Sequence, residues 1–441
     1  MLLDDWLAQR AETCPDRTAL IAGDVRLSYA ELEAEATSTA RRLAARGVRG
    51  GATVVLMRPA GAEYVITLHA LMKLGAVAYP LSPQFAHAEV EHEVERSRPA
   101  LVLRAEDQLT ATEADLPLLG EHDLGAIQCR ILTSGTSGRP RPVGLTYGNH
   151  LWSAVGSAFN LGVDPGDRWL CCLPLHHVAG LEIVLRSVIY GTGAIVHDGF
   201  DPARVEESLQ RDGVTLLSLV TTQLSRLLEG GVDLSGPRAI LVGGGPVPRE
   251  ILERAITRGA RVVQTYGLTE AASQVTTLAP QDARRKLGSA GRPLLTTHLR
   301  IQEGEILVQG PVVAPGCADE DGWLHTGDLG WIDDEGFLYV EDRLGDVIVS
   351  GGENVLPAEV EEVLLRHPDV ADVAAVGRAD AEWQEAVAAI VVLHDGAAAD
   401  AEELRRHCAE SLARYKVPKR FEFVSELPRT PSGKLVRRAL R

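Results

Sequence analysis

The chain lacks an apolar run that approaches the ~18 residues of a membrane span. Its N-terminus carries Asp4 and Asp5 where a secretory signal is basic and then apolar. Basic residues are in the minority, with 44 Lys and Arg against 61 Asp and Glu, and the net charge of -17 disfavours general binding to nucleic acid or anionic membranes. These absences predict a cytoplasmic protein with no membrane insertion and no nucleic-acid partner.

Cysteine is also scarce. The six cysteines show neither CxxC spacing nor the density of a disulfide scaffold, so we expect buried thiols. The P-loop pattern G-x-x-x-x-G-K-[ST] is missing, which disfavours kinase-like and GTPase-like nucleotide folds. At 441 residues, of which 45% are hydrophobic, the chain exceeds what one core usually supports, so two or more domains are predicted.

The most informative segment present is TSGTSGRPRPVGLTYGNH, Thr133 to His150. Its glycines let backbone amides converge on an anion, and its hydroxyl side chains add donors. These residues are Thr133, Ser134, Gly135, Thr136, Ser137 and Gly138. An apolar lead-in, Ala126 to Leu132, predicts a buried strand before the loop. The segment therefore predicts phosphate binding, with an ordinary polar surface loop as the alternative.

Helical and apolar strand patterns alternate along most of the chain. The pattern of Ser28 to Gly47 predicts a helix with a capping box, and that of Val54 to Met57 predicts a strand after it. Such alternation predicts a layered α/β architecture with largely parallel sheets. After Leu299 the strands are short, and a hairpin signal between Ile332 and Phe337 predicts a small antiparallel or β-barrel-like section.

We place the domain boundary at residue 343. Residues 1-342 are predicted to form the large N-terminal domain of layered α/β subdomains. Residues 343-441 are predicted to form a small, mobile α+β C-terminal domain, in which Pro357 starts a helix and Val370 to Val376 is a strand.

Further motifs stand in a fixed order along the chain. They are GGGP at Gly243 to Pro246, YGLTE at Tyr266 to Glu270, HTGD at His325 to Asp328, a DRLGDVIVSGGENVLPAEVE run from Asp342, and PRTPSGK ending at Lys434. Together with the glycine-rich loop they resemble the adenylate-forming superfamily of acyl-CoA synthetases, luciferases and peptide-synthetase adenylation domains. The resemblance implies that a carboxylate is activated by ATP and Mg2+ as an acyl-adenylate, with coenzyme A as the co-substrate in the ligases.

The resemblance also implies roles for single residues in binding ATP. These are the six loop residues above with Arg141, then Gly243, Gly244, Gly245, Pro246, Tyr266, Gly267, Asp328 and Arg343. Thr269 and Glu270 match the positions that contact phosphate and bind Mg2+, a hard cation that suits a carboxylate oxygen. The alternative is a helix N-terminus after Thr269, and for Asp328 and Arg343 it is a surface ion pair. Arg141 stands where the superfamily usually has Lys, and it keeps the charge.

Lys434 is the strongest catalytic candidate, since a mobile point charge can neutralise oxygens at the α-phosphate; a solvent-exposed lysine is the alternative. Gly345 matches the hinge about which the C-terminal domain of this superfamily rotates. The residues Ser350, Gly351 and Gly352 match the passage for coenzyme A, and a simple tight turn is the alternative.

The segments between the motifs narrow the substrate. The runs from Thr146, Pro174 and Gln264 resemble the o-succinylbenzoate:CoA ligases of menaquinone biosynthesis. Candidates for the acyl pocket are Arg186, Ser273, Gln274, Thr277, Lys286 and Ser289, with His177 beside it as a catalytic candidate or, alternatively, a packing histidine.

Two other functions stay open. The chain could load an aryl or amino acid onto a carrier protein as a stand-alone adenylation enzyme, or it could be a weakly active nucleotide-binding relative. If the chain is a CoA ligase, its partners are expected to be small-molecule substrates, and a homodimer is the expected assembly.

Overall fold

The computed structural model describes residues 1–85, 87–109, 112–133, 141–245, 247–350, 353–380, 384–412, 414–430 and 435–440. Internal contacts divide the chain into two compact units. The first consists of Met1–Leu299 with Val308–Leu324, and the second of Arg300–Leu307 with His325–Arg441. The domain boundary predicted at residue 343 falls within the second of these units, and it stays a prediction.

The first unit alternates helices and strands as predicted. Its helices are α1 (Trp6–Thr13), α2 (Tyr29–Ala45), α3 (Ala62–Leu74), α4 (His87–Ser97), α5 (Tyr147–Leu161), α6 (Val178–Tyr190), α7 (Pro202–Arg211), α8 (Thr221–Glu229) and α9 (Arg249–Thr257). Its strands are β1 (Leu2–Asp4), β2 (Thr18–Ala22), β3 (Val25–Ser28), β4 (Thr53–Met57), β5 (Val77–Pro80), β6 (Leu101–Arg104), β7 (Glu121–Asp123), β8 (Ile127–Thr133), β9 (Arg141–Thr146), β10 (Arg168–Cys171), β11 (Gly193–Val196), β12 (Leu216–Val220), β13 (Ala239–Gly243), β14 (Val262–Leu268), β15 (Ser273–Thr277) and β16 (Arg292–Pro293).

Two larger sheets organise this unit. The nine-stranded sheet has the order β16-β15-β14-β13-β12-β10-β11-β2-β3, and the five-stranded sheet has the order β6-β4-β5-β8-β9. The consecutive pairs from β14 to β2 are parallel, which requires crossovers such as α7, α8 and α9. Leucine, isoleucine and valine from β12, β13, α8 and α9 share one buried cluster. The mostly parallel α/β prediction is confirmed.

Helix α2 shows how far local sequence determines an element. The Ser28 hydroxyl accepts from the Glu31 amide at 3.2 Å, and the Glu31 carboxylate accepts from the Ser28 amide at 2.8 Å. This capping box satisfies donors that the first turn leaves without partners. The helix stops before Gly47, whose φ of 90° is readily adopted by glycine alone.

The remaining strands form two further sheets. These strands are β17 (His298–Gln302), β18 (Glu305–Gln309), β19 (Leu324–Ile332), β20 (Leu338–Arg343), β21 (Ile348–Ser350), β22 (Glu353–Val355), β23 (Val370–Asp380), β24 (Gln384–Leu393) and β25 (Arg420–Phe423), with helices α10 (Pro357–Leu365) and α11 (Ala401–Ser411). One sheet has the order β17-β18-β19-β20, and the other has β22-β21-β24-β23 with β25 on β24.

The predicted hairpin between Ile332 and Phe337 is present. Strands β19 and β20 are antiparallel, and the Asp333 carboxylate accepts from the amides of Glu335 and Phe337. The prediction left an antiparallel or barrel-like section open, and the structure has a four-stranded sheet there. In the second unit, α10 and α11 cover β23 and β24 over a core of valine, leucine and alanine.

Among the described residues, no helix combines the length and apolar character that a membrane crossing needs. All six cysteines are free, and four of them are buried. The prediction of buried thiols is wrong for Cys14 and Cys317, which are partly exposed. Cys14 follows the end of α1, and Cys317 lies in the segment between Gln309 and Leu324, so neither is inside an apolar strand.

A buried group of ionisable side chains joins α1, α2 and α3. Lys73 donates to Asp5 at 2.9 Å and to Glu33 at 2.6 Å. His69, one turn before Lys73 on α3, is 1% exposed. Burial lowers the pKa of His69 to about 4, while the charge of Asp5 raises it and those of Lys73 and His122 lower it.

Acidification is therefore expected to destabilise α3. Below its ordinary pKa of 6.5 the imidazole of His69 takes up a proton in the unfolded state, but in the folded state it stays neutral down to about pH 4. The unfolded state then binds more protons, so stability falls through this window. At pH 5 the loss is on the order of 2 kcal/mol. Hydrogen exchange of the α3 amides at pH 7 and pH 5, corrected for intrinsic rates, measures this loss of stability.

The loss of stability should be smaller in His69→Gln. It should persist in the control His298→Gln, which alters an exposed histidine. Equal losses in the parent protein and both variants would contradict the assignment to His69.

Candidate functional site

The glycine-rich loop is framed by a hairpin. Strands β8 and β9 are antiparallel, Thr133 pairs with Arg141, and the Thr133 hydroxyl donates to the Arg141 carbonyl at 3.3 Å. Ile131 and other residues of β8 are buried, as the apolar lead-in predicted. The side chain of Arg141 is exposed. The loop candidates Ser134, Gly135, Thr136, Ser137 and Gly138 lie outside the described residues.

The YGLTE motif ends β14 and turns back into β15. Thr269–Ala271 form a single 3-10 turn, so the alternative of a helix starting after Thr269 is wrong. Strand β15 follows at once and pairs with β14, which leaves no room for a helix. Both Thr269 and Glu270 are half-buried. The Glu270 carbonyl accepts from the Ala314 amide at 2.8 Å, which ties the motif to the segment that precedes β19.

Arg141 and Glu270 are brought to the same neighbourhood. Both act on the thiol of Cys317, whose pKa is raised by burial and by the charge of Glu270 and lowered by the charge of Arg141. The segment carrying Cys317 is anchored by Asn149 of α5, whose amide donates to the carbonyls of Pro311 and Val313. Arg141, at the start of β9, and the candidate magnesium residue Glu270 therefore share one side of the first unit.

The glycines of the GGGP and YGLTE motifs differ in why the structure favours glycine. A Cβ on Gly243 would lie 2.7 Å from the Thr265 carbonyl oxygen, and Gly244 has a φ of +82°. A Cβ on Gly267 would lie 1.6 Å from the Ser273 carbonyl oxygen, so β15 itself requires glycine there. An added Cβ on Gly245 would meet nothing within 4 Å. Tyr266 is half-buried, and Pro246 lies outside the described residues.

Asp328 and Arg343 lie opposite each other on β19 and β20 in the second unit. The Arg343 Nε donates to Asp328 Oδ1 at 2.9 Å, and the aspartate is the more buried partner. The two residues form an ion pair, but Asp328 is buried rather than on the surface as the alternative interpretation had it. Nucleotide contact by the two residues stays a prediction, and the pair places a carboxylate and a guanidinium together where the motif expects them.

The candidates for the hinge and for the coenzyme A passage follow Arg343 in the chain. Gly345 lies in the 3-10 turn Leu344–Asp346, and an added Cβ there would meet nothing within 4 Å. Ser350 is buried at the end of β21 and pairs with Glu353 across β22. Gly351, Gly352 and Lys434 lie outside the described residues.

Sequence reasoning missed the burial of Arg437 near the end of the chain. Its side chain is only 12% exposed and contacts Glu361 bidentately, the Ala375 carbonyl at 3.0 Å and Asp346 at 3.5 Å. Basic residues without acidic neighbours in sequence gave no signal for this, because the partners are 62 to 91 residues away.

The acyl-pocket candidates separate into contacting and dispersed residues. The Arg186 Nη1 donates to Gln274 Oε1 at 2.9 Å, and both residues are buried. Ser273 lies between Gln274 and the YGLTE turn, and the hydroxyl of Thr277 contacts Thr265 at 2.9 Å. The other candidates are Lys286, which is half-buried, Ser289, whose hydroxyl accepts from the Gly291 amide, and His177, the N-cap of α6. Their roles in substrate binding stay predictions.

A second group that the sequence interpretation missed lies behind Arg186. His150 Nδ1 lies 2.6 Å from Glu182 Oε1, and both side chains are fully buried. Glu182 Oε2 lies 3.3 Å from the Nε of Arg186. The signal was present: Glu182 and Arg186, four residues apart, are the only charges in the otherwise apolar α6 sequence VAGLEIVLRSVIY.

The donor set fits magnesium held jointly with a substrate. Within the described ranges, no three His, Cys, Asp or Glu side chains cluster as a metal site. Magnesium commonly takes one or two protein carboxylates and completes its octahedron with phosphate oxygens and water. The half-buried Glu270, beside the hairpin of Thr133 and Arg141, matches that requirement.

Family comparisons cover most of the chain. The AMP-binding enzyme family matches residues 7–128 and 121–317, and the AMP-binding enzyme C-terminal domain matches residues 359–434. A 2-succinylbenzoate–CoA ligase from Bacillus licheniformis is 42% identical over 100% of both chains.

Solved structures agree with the sequence relatives. An o-succinylbenzoate CoA synthetase from Bacillus subtilis in complex with its acyl-adenylate intermediate has a TM-score of 0.94 at 39% identity, covering 100% of this chain and 98% of that one. The same enzyme in complex with ATP and a magnesium ion has a TM-score of 0.94 at 38% identity, covering 100% of both chains.

Proposed function

Since the chain belongs to the AMP-binding enzyme family, we propose that it joins o-succinylbenzoate to coenzyme A through an acyl-adenylate, with ATP and magnesium. The observation that carries this proposal is the 42% identity, over the full length of both chains, with a 2-succinylbenzoate–CoA ligase. The resemblance inferred from the motifs, to the superfamily and to these ligases, is confirmed by the same comparisons. The thioester product would enter menaquinone biosynthesis, as the resemblance implied.

In the first step, a carboxylate oxygen of the acid attacks the α-phosphorus of ATP, the bond from that phosphorus to the bridging oxygen breaks, and pyrophosphate leaves. Arg141 and Thr269 hold phosphate oxygens, and Lys434 neutralises the charge that grows on the α-phosphate. Glu270 would hold magnesium, which would supply positive charge to the phosphate oxygens. Asp328 accepts from the ribose hydroxyls, and Arg343, which donates to it, orients that carboxylate.

In the second step, the thiol sulfur of coenzyme A attacks the acyl carbon. The mixed-anhydride bond breaks, AMP leaves with the bridging oxygen, and the thiol proton is released. We propose that residues 343-441 rotate about Gly345 between the steps and that Ser350 lines the path of the thiol. Glycine at position 345 supports this assignment, because glycine can absorb the large φ/ψ changes of a hinge.

The test is pyrophosphate release by the purified protein with Mg-ATP, coenzyme A and a panel of acids. We expect kcat/KM for o-succinylbenzoate to exceed that for benzoate, a medium-chain fatty acid or an amino acid by at least about 100-fold, since buried donors left without a partner penalise an acid that lacks the second carboxylate. Preference for another acid would contradict the substrate. Turnover that requires a carrier protein in place of coenzyme A would support the stand-alone adenylation enzyme.

Assembly and location are proposals as well. The substrates of the reaction are small molecules. We propose a homodimer located in the cytoplasm, in line with the acidic net charge and the expected access to ATP and coenzyme A. Sedimentation velocity at micromolar concentration tests the dimer, and a single monomer species would contradict it.

A further inference from the structure

The backbone directly after Glu270 is held in an uncommon conformation. Ala272 has φ 48° and ψ 49°, and Ser273 has φ 84°, although neither residue is glycine. Left-handed geometry at two consecutive residues with side chains costs free energy and persists only where the surroundings enforce it. The strained pair lies two and three residues after the candidate magnesium carboxylate, so any relaxation here would move Glu270.

Two buried side chains hold this turn. The Ser153 hydroxyl of α5 donates to the Ala272 carbonyl at 2.6 Å. Arg186 of α6 donates to Ser153 Oγ at 2.8 Å through Nη2 and to Gln274 Oε1 at 2.9 Å through Nη1. The guanidinium of Arg186 therefore fixes both neighbours of Ser273. It holds Ala272 through Ser153, and it holds Gln274 directly. Ser153, Arg186 and Gln274 are each at most 4% exposed.

The guanidinium is itself oriented by buried groups. Glu182 Oε2 lies 3.3 Å from Arg186 Nε, and His150 Nδ1 lies 2.6 Å from the other oxygen of Glu182. Cys129 Sγ lies 3.5 Å from the second ring nitrogen of His150. Burying charges in this way is costly compared with apolar packing, which points to a need for fixed geometry rather than for stability.

We propose that Ser153 and Arg186 are positioning residues that hold the turn after Glu270, so that its carboxylate is presented to magnesium and ATP. The inference rests on the proposed function for the role of Glu270. The opposite side of the turn is already held by the Ala314 amide on the Glu270 carbonyl. Glu270 is thus fixed from both sides, through its own carbonyl and through that of Ala272.

Ser153→Ala tests the contact with the smallest change, since it removes one hydroxyl. Ser187→Ala is the matched control: Ser187 is a fully buried serine of α6, and its hydroxyl donates to the Ile183 carbonyl at 2.8 Å, away from the turn. We expect Ser153→Ala to raise the magnesium concentration for half-maximal pyrophosphate exchange about 10-fold and Ser187→Ala to leave it within about 2-fold. Hydrogen exchange of the peptide covering residues 266-275, without any ligand, should accelerate only in Ser153→Ala.

A glycine at the strained position 272 distinguishes a positioning role of Ser153 from general damage to the fold. Glycine adopts positive φ readily, so Ala272→Gly should keep the turn in place without the Ser153 hydroxyl. The double variant Ser153→Ala/Ala272→Gly is expected to recover the magnesium dependence to within about 3-fold of the parent protein. A purely structural role for Ser153 would give no such recovery, because the buried Arg186 nitrogen still lacks its partner.

The outcomes are distinguishable. If the parent protein releases no pyrophosphate with any acid, the proposed function fails and the catalytic consequence of the turn fails with it. If the parent protein turns over normally, but Ser153→Ala and Ser187→Ala show the same exchange and the same magnesium dependence, the positioning role is overturned and the proposed function stands. Absence of recovery by Ala272→Gly likewise overturns it.

Discussion

Replacing Lys434 by Ala is expected to slow acyl-adenylate formation by about 10²- to 10³-fold and to leave transfer to coenzyme A within about 3-fold. The ammonium is needed only where negative charge develops on the α-phosphate oxygens, which happens in the first step. Rapid-quench measurement of acyl-adenylate formation, beside single-turnover transfer from supplied o-succinylbenzoyl-AMP, separates the two steps in one preparation.

The matched control is Lys416→Ala. Lys416 belongs to the same unit and pairs with Glu359 at 2.6 Å, a contact outside the proposed machinery. Both steps should change by less than about 2-fold in that variant, since a partly exposed ion pair contributes little. Equal loss of both steps in Lys434→Ala would contradict the assignment, because it would indicate damage to folding or to acid binding rather than loss of one charge.

The described residues on either side of Lys434 are held by contacts within the second unit. Arg429 and Leu435 form an antiparallel bridge, and the Val436 amide donates to the Pro428 carbonyl at 2.9 Å. Arg437 is held by Glu361 and Asp346, the latter one residue after Gly345. Rotation about the proposed hinge would therefore carry the described residues that flank Lys434 along with it.

Local sequence was sufficient for elements whose signals are local. The capping box of Ser28 and Glu31 predicted where α2 begins, and the acidic turn before Gly336 predicted the hairpin of β19 and β20. In both cases the residues that determine the conformation are within five positions of each other. The helix alternative after Thr269 failed because the pairing of β15 with β14 overrides the local preference.

The motifs identified a chemistry but not the contacts that support it. Ser153 and Arg186 are 119 and 86 residues from the turn at Ala272, and only tertiary packing of α5 and α6 brings them there. A polar residue in an apolar helix indicates that the residue is buried with a polar partner, but it does not identify that partner. The burial of Arg437 was hidden for the same reason, since its partner Glu361 is brought to it by the packing of α10 against β23.

Replacing Glu270 by Gln is expected to lower kcat/KM for Mg-ATP in the first step by about 100-fold or more, because the variant keeps the side-chain shape but loses the charge that holds magnesium. Raising the magnesium concentration should restore part of the rate, whereas raising the acid concentration should not. The control is Glu207→Gln, which neutralises an exposed carboxylate paired with Arg211 on α7. Its kinetics should match those of the parent protein.

Cys317 provides a readout of Glu270 that needs no turnover. Burial and the negative charge of Glu270 raise the pKa of this thiol, and Arg141 lowers it. Glu270→Gln removes one of the two causes that raise the pKa, so more thiolate forms at pH 8 and Cys317 should react faster with a thiol reagent. A raised magnesium requirement together with faster labelling indicates a folded protein that has lost one charge at this site. Lost activity with unchanged labelling would contradict the placement of Glu270 beside Cys317 and Arg141, on which the magnesium assignment depends.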